Sequence, residues 1–255
     1  MIDIHSHILP NVDDGSKDIE ITKSMLKTAY RSGTTKIVAT PHYNKHYNFA
    51  TYSKTIDMVE KLREIIKPYN IGIEIYHGQE VYYYEDIIEK YKQNLIGTIN
   101  NTRYMLVELP IEKYESNSLN VLYELMLQGV KVILAHPERY RAFIKNPTLI
   151  NEFTREGFLF QMNSASIEGY FGKDVKKTCE TFLNSGVYSF LGSDAHSNVS
   201  RITDMSECID IVKQKHPQTI IDFENNGNLM LNDKDVYFKG EEVSAKKSIF
   251  SIFKR

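Results

Sequence analysis

At 255 residues, 42% of them hydrophobic, the chain can bury one large core or two small ones, and a βα barrel reaches this length as a single domain. A net charge of −2 and a pI near 6.5 exclude a nucleic-acid binder held by general positive charge. Two cysteines, Cys179 and Cys208, form no disulfide framework and suit a reducing compartment, while no apolar run reaches the ~18 residues of a spanning helix.

The chain begins MIDIHSH, with neither a basic n-region nor an apolar h-region, so no signal peptide and a cytoplasmic protein are expected. A strand over 2–5 carries His5, with His7 two residues on, and an i, i+2 pair points to one face of a strand. The polar turn NVDDGS holds Asp14. A helix over 18–31 gives way to a strand over 36–40, whose IVATPHY end carries His42. After a helix over 52–66, a strand over 72–76 runs into GQEVYY and Glu80. Taken alone, Glu80 reads equally as a solvated carboxylate opening the helix over 84–91.

The strand over 104–108 ends in MLVELP, where Glu108 sits in an apolar run that makes an unpaired carboxylate costly. A helix over 118–128 precedes a strand over 131–135 ending VILAHPER, with Pro137 turning the chain after His136. A hydrogen-bonded core histidine is the plainer reading of that residue. Helices over 147–156 and 173–185 flank a strand over 158–162. The last strand, 188–192, ends GSDAH, so Asp194 and His196 repeat the i, i+2 spacing before a helix over 202–215. Gly33, Gly129, Gly157 and Gly186 each stand between a helix and the next strand, as helix stops do.

Seven strand–helix units in succession argue a parallel sheet with right-handed crossovers. An open sheet would spread seven strand ends over ~29 Å, whereas a closed ring gathers them at one mouth. A barrel is therefore expected over 1–232, followed by a C-terminal tail over 233–255. The end of that tail, AKKSIFSIFKR, mixes Lys246, Lys247, Lys254 and Arg255 with Ile249, Phe250, Ile252 and Phe253. It reads either as a weak membrane or partner contact or as a frayed or self-docked terminus.

Five imidazoles, His5, His7, His42, His136 and His196, and four carboxylates, Asp14, Glu80, Glu108 and Asp194, thus stand at strand ends. Such a set at one mouth suits a cluster of borderline metal ions. Against three divalent ions the four carboxylates leave the site at about +2, which favours a phosphate dianion over a neutral carbonyl. Arg139 and Arg201, close behind His136 and His196, are candidates to bind phosphoryl oxygens; each reads equally as a surface arginine without the metals.

The early HxH and late DxH resemble the signature of the polymerase and histidinol phosphatase (PHP) superfamily. More narrowly, DIHSHILPNVDDGS, ATPHY, GQE, VELP, AHPERY and GSDAH are similar to the manganese-dependent protein-tyrosine phosphatases of bacterial capsule and exopolysaccharide clusters, from residue 1 to about 232. The resemblance implies a distorted (β/α)7 barrel, TIM-barrel-like, with three metals at the C-terminal ends of the strands. By position, His5, His7, Glu80 and Asp194 would hold the first. Glu80 would bridge to the second, completed by Glu108 and His136, and Asp14, His42 and His196 would hold the third. Asp14 and Glu108 stand where the wider superfamily often has histidine. That argues against a plain histidinol phosphatase and fits manganese or iron better than zinc, with cobalt a further alternative.

The expected chemistry is metal-assisted hydrolysis of phosphotyrosine, with Arg139, Arg201, His136 and Asp14 nearest the reacting phosphoryl group. A phosphocysteine route is excluded because positions 185 and 214, six beyond each cysteine, hold serine and glutamine. The resemblance also implies a partner, the phosphotyrosine-bearing tail of a tyrosine kinase controlling polysaccharide synthesis, and leaves the oligomeric state open. Tyr43, Tyr47, Tyr82, Tyr83, Tyr84, Tyr170 and Phe171 are candidates for an aromatic rim. A small-molecule phosphatase, acting for example on histidinol phosphate, and a non-catalytic binder of phosphotyrosine tails are the alternatives.

Overall fold

Short β-branched runs become strands, and the amphipathic segments between them become helices. The structure is a computed structural model that describes residues 1–45 and 50–244. Tyr47 and the AKKSIFSIFKR end lie outside the described residues. Among those described, nine strands form: β1 (Ile2–Ser6), β2 (Lys36–Ala39), β3 (His42–Tyr43), β4 (Glu74–His77), β5 (Glu80–Tyr82), β6 (Tyr104–Glu108), β7 (Lys131–Ala135), β8 (Leu159–Asn163) and β9 (Phe190–Gly192). The helices are α1 (Ile19–Arg31), α2 (Tyr52–Ile66), α3 (Ile87–Lys92), α4 (Ser118–Leu127), α5 (Arg141–Lys145), α6 (Ile150–Arg155), α7 (Ser164–Glu168), α8 (Lys173–Asn184), α9 (Ser206–Lys215) and α10 (Pro217–Leu231).

All strand pairs are parallel, in two sheets ordered β1-β2-β4 and β3-β5-β6-β7-β8-β9. The sheets share staves. β2 and β3 are one stave interrupted at Thr40–Pro41, where proline offers no N–H to the ladder. β4 and β5 are likewise one stave interrupted at Gly78–Gln79. The ring closes where Ser6 bridges Ala195: the His7 N–H donates to Ala195 O at 2.9 Å and the Asp194 N–H to His5 O at 2.8 Å. Seven staves in a closed parallel ring are the distorted (β/α)7 barrel expected from the sequence.

Alternation along the strands sorts side chains into two layers. Tyr104, Leu106, Ile133, Ala135, Leu159 and Phe190 share one apolar cluster with Ile2 and Ile4. Their neighbours Met105, Val107, Val132, Leu134, Phe160 and Leu191 pack in another, with Phe153 and Phe182 from the surrounding helices. The first set fills the barrel. Continuing its period past the last apolar residue delivers Glu108, Gln161 and Asn163 to the mouth.

One long helix has no counterpart in the sequence reading, α10. Its ENNGN stretch dilutes the helical period with weak helix formers. Packing overrides that weakness: Asn226 Nδ2 donates to Ser189 O at 2.9 Å, and Gly227 lies against Ile2, where a Cβ would come within 3.1 Å.

Residues 233–244, read from sequence as tail, run across the N-terminal ends of β6 and β7. The Tyr104 hydroxyl donates to Lys234 O at 2.6 Å and accepts from the Val236 N–H at 2.9 Å, while Lys131 Nζ reaches Asp235 at 2.7 Å. Val236 and Val243 are buried. Replacing Tyr104 with phenylalanine strips both bonds, so Tyr104→Phe is expected to cost about 1–3 kcal/mol in denaturant unfolding and to expose this segment to protease. An unfolding midpoint equal to the parent's would contradict that account.

Candidate metal and phosphoryl site

The mouth at the C-terminal ends of the strands gathers all nine metal-ligand candidates singled out from the sequence, together with Arg139 and Arg201. β1 supplies His5 and, just past its end, His7. The NVDDGS loop folds back over His7, with the Ser16 N–H donating to His7 O at 3.0 Å. Glycine at position 15 permits this, since a Cβ there would stand 2.4 Å from His7 Cβ. His42 on β3 pairs in register with Glu80 on β5, and Tyr82 with Glu108 on β6. His136 follows β7 out of step: strand alternation would send it outward with Val132 and Leu134. A left-handed backbone, φ 32°, turns it inward instead. Asp194 (φ 49°) and His196 complete the set beyond β9. Asp14, His42, Glu80, Glu108, His136, Arg139, Asp194, His196 and Arg201 line one cavity of about 130 Å³, with His5 and His7 fully buried beneath it.

Hydrogen bonds fix the imidazole tautomers. Gln161 donates its amide to Met162 O, so its Oε1 accepts from His5 Nδ1 at 2.9 Å. Asp13 accepts from His7 Nδ1 at 2.7 Å, and the Asp194 carbonyl from His196 Nδ1 at 2.9 Å. With Nδ1 protonated in each, the Nε2 lone pairs face inward. Those of His5 and His7 lie only 3.2 Å apart. Glu80 Oε2 sits 3.3 Å from both and 2.8 Å from His42 Nδ1, yet is buried without a hydrogen bond. Converging lone pairs around an unsatisfied buried carboxylate oxygen are what a cation would satisfy.

Asp194 divides its work between two oxygens. Oδ1 faces His5 and His7 at 3.5 and 3.4 Å, while Oδ2 accepts from Arg139 Nη1 (2.7 Å) and Asn163 Nδ2 (2.7 Å) and forms an ion pair with Arg201 Nη2 (2.6 Å). Donor atoms fall into three groups, each within 4.8 Å: His5, His7, Glu80, Asp194; His7, Asp14, His42, His196; and His42, Glu80, Glu108. His136 Nε2 stands 3.0 Å from Glu80 and 3.7 Å from Glu108.

The electrostatics point the same way. Burial alone would make His5 and His7 less basic, but Glu80 and Asp194 around the first, and Asp13 on the second, raise both above the usual imidazole range. Burial, then the neighbouring Glu80 charge, pushes Glu108 well up. Burial and the Arg139 charge lower His136 to about 4, so its ring is neutral, as a ligand must be. A site that favours the protonated form of His5 and His7 and sets Glu108 against Glu80 is a site short of positive charge.

Sequence reasoning missed Asp13, Gln161 and Asn163, which touch and orient the donors. Gln161 and Asn163 carried a usable signal: polar residues at i, i+2 inside the apolar run FLFQMN, the same criterion that picked out Glu108. Asp13 was hidden beside Asp14. Tyr43 and Tyr83, read as rim residues, are instead buried in the apolar layer outside the barrel. Tyr82 and Tyr84 are half-buried and Tyr170 is exposed. Cys179 and Cys208 are free and buried, and burial pushes both thiols well above their ordinary range.

CapC of Staphylococcus aureus is 35% identical over 241 residues, covering 92% of this chain and 93% of CapC. The tyrosine-protein phosphatase CpsB of Streptococcus pneumoniae is 34% identical over 221 residues, covering 85% and 91%. A crystal structure described as YwqE from Bacillus subtilis and CpsB from Streptococcus pneumoniae, "unique metal-dependent tyrosine phosphatases", superposes with a TM-score of 0.91 at 28% identity. It spans 96% of this chain and all of that one. Histidinol phosphate phosphatase from Lactococcus lactis, at 12% identity and a TM-score of 0.52, shares the fold. The profile for capsular polysaccharide synthesis proteins CpsB/CapC matches residues 1–231, and the chain belongs to that family.

Proposed function

We propose that the protein is a metal-dependent tyrosine-protein phosphatase, with manganese as its working cation. The observation that carries this is the pair of inward Nε2 lone pairs on His5 and His7, 3.2 Å apart beside the unsatisfied Glu80 Oε2. His5, His7, Glu80 and Asp194 would hold one cation. Glu80, Glu108 and His136 would hold a second, and Asp14, His42 and His196 a third. When bound, the cations supply an acidified water and neutralise charge on the phosphoryl oxygens.

The chain's own groups do the rest. Arg139 and Arg201 each spend one nitrogen on Asp194 Oδ2, and Arg201 Nε is buried without a partner. Both residues line the cavity, and their remaining N–H groups would be its donors for a phosphoryl group. Asn163 and Asp194 keep the two guanidiniums from drifting apart. Phenolate, the conjugate base of a group with pKa ~10, leaves with less protonation than an alkoxide needs.

The relatives' names support phosphotyrosine as substrate, and the capsule family supports a kinase of polysaccharide synthesis as the partner bearing it. The cytoplasm is the proposed location; no helix of the described residues is long and apolar enough to cross a membrane. Metal analysis of the purified protein, combined with phosphate release from a phosphotyrosyl peptide across divalent ions, tests the reading. Manganese is expected to stimulate release, chelators to stop it, and thiol alkylation to leave it unchanged. Faster turnover of histidinol phosphate than of the peptide would reverse the assignment.

A further inference from the structure

A second cavity opens beside the mouth. It encloses about 460 Å³ against about 130 Å³, and Ile111 and Arg139 line both, so the two meet there. The chemistry changes across that boundary. Imidazoles, carboxylates and guanidiniums dominate the mouth, which suits a phosphoryl group. Among five charged side chains, the outer groove sets Phe171, Ile144 and Val175 beside Ile111, an apolar wall for a ring.

Backbone geometry fixes Phe171 in that lining. α7 ends at Gly169 (φ 95°), and α8 begins after Gly172 (φ 94°). The Gly172 N–H donates to Gly169 O at 3.0 Å, and the Tyr170 N–H to Ala165 O at 3.0 Å. Tyr170 and Phe171 are therefore the central pair of a hydrogen-bonded turn tied to a helix on each side. The turn displays two aromatics, their rings edge to face at 5.1 Å. Phe171 also covers the phosphoryl-binding pair: its ring centroid lies 4.4 Å from the Arg139 guanidinium carbon and 5.9 Å from that of Arg201. A leaving group that passes out of the mouth between Ile111 and Arg139 enters the groove that Phe171 lines.

We propose that this groove is the subsite for the aromatic ring of the substrate tyrosine, with Phe171 and Ile111 as its specificity-determining residues. The inference rests on the phosphatase reading above and deepens it. A phosphoryl group satisfies the mouth whatever carries it, so selection of tyrosine falls to whatever meets the ring, and the apolar wall that borders the mouth is here.

Kinetics of the full-length, manganese-loaded protein decide it, with a phosphotyrosyl peptide as substrate and inorganic phosphate as competitive inhibitor. Phe171→Ala and Ile111→Ala are each expected to raise KM for the peptide about tenfold, and Phe171→Trp to restore it. The inhibition constant of inorganic phosphate, which brings no ring, is expected to stay within about twofold of the parent's in every variant. An equal rise in that constant would mean that Phe171 works only by holding the arginines, and the subsite falls. Unchanged KM in both alanine variants overturns it as well. A parent protein that hydrolyses no phosphotyrosyl peptide sinks the phosphatase reading instead, before any variant is compared.

Discussion

Glu80→Gln is expected to strip the site of metal and lower kcat/KM by about 10³-fold or more. Glu80 is the one carboxylate shared by four imidazoles: Oε1 lies 3.0 Å from His136, and Oε2 approaches His5, His7 and His42. Burial opposes the charge, but the imidazoles of His5, His42 and His136 hold its carboxyl well below the ordinary range. Glutamine keeps the shape and removes the charge, so lost packing cannot mimic the result. Elemental analysis of parent and variant beside a phosphopeptide assay reads both quantities at once. Full metal content in the variant would remove Glu80 from the centre of the cluster.

Arg139→Ala and Arg201→Ala are each expected to lower kcat about 10²-fold, with metal content unchanged. The separation follows from Asp194. Its Oδ1 faces the histidines and its Oδ2 the arginines, and Asn163 still bonds Oδ2 when one guanidinium is gone. Lysine should restore little, because a point charge cannot bond Asp194 and a phosphoryl oxygen in one plane. Loss of metal along with activity would merge the arginines into the metal cluster. A higher KM with unchanged kcat would make them substrate anchors only.

The sequence was most legible where apolar runs are long enough to carry a period. Residues 104–108 and 131–135 were read as strands and are β6 and β7 to the residue. β3 and β5, two and three residues long, follow Pro41 and Gly78 and carry no period of their own. Their loss from the sequence reading did no harm to the site, because His42 and Glu80 were placed from the ends of the longer runs before them, 36–40 and 72–76. His136 shows the opposite case. Its inward aim depends on a backbone torsion that Pro137 hinted at but could not specify. Asp13, Gln161 and Asn163 stayed hidden because their role is contact with another side chain, a relation visible only once the strands close.

The joint between β1 and β9 has a consequence for how the site comes into being. Its first two imidazoles are encoded at the beginning of the chain, and Asp194 and His196 some 190 residues later. A nascent polypeptide emerging from the ribosome therefore lacks two of the nine donors, Asp194 and His196, until the last quarter of the chain is made. On the reading proposed above, cations held across that joint lace the two ends of the molecule together, and their binding free energy is withdrawn whenever the ends part. Metal starvation would then shorten the protein's lifetime in the cell as well as silence it.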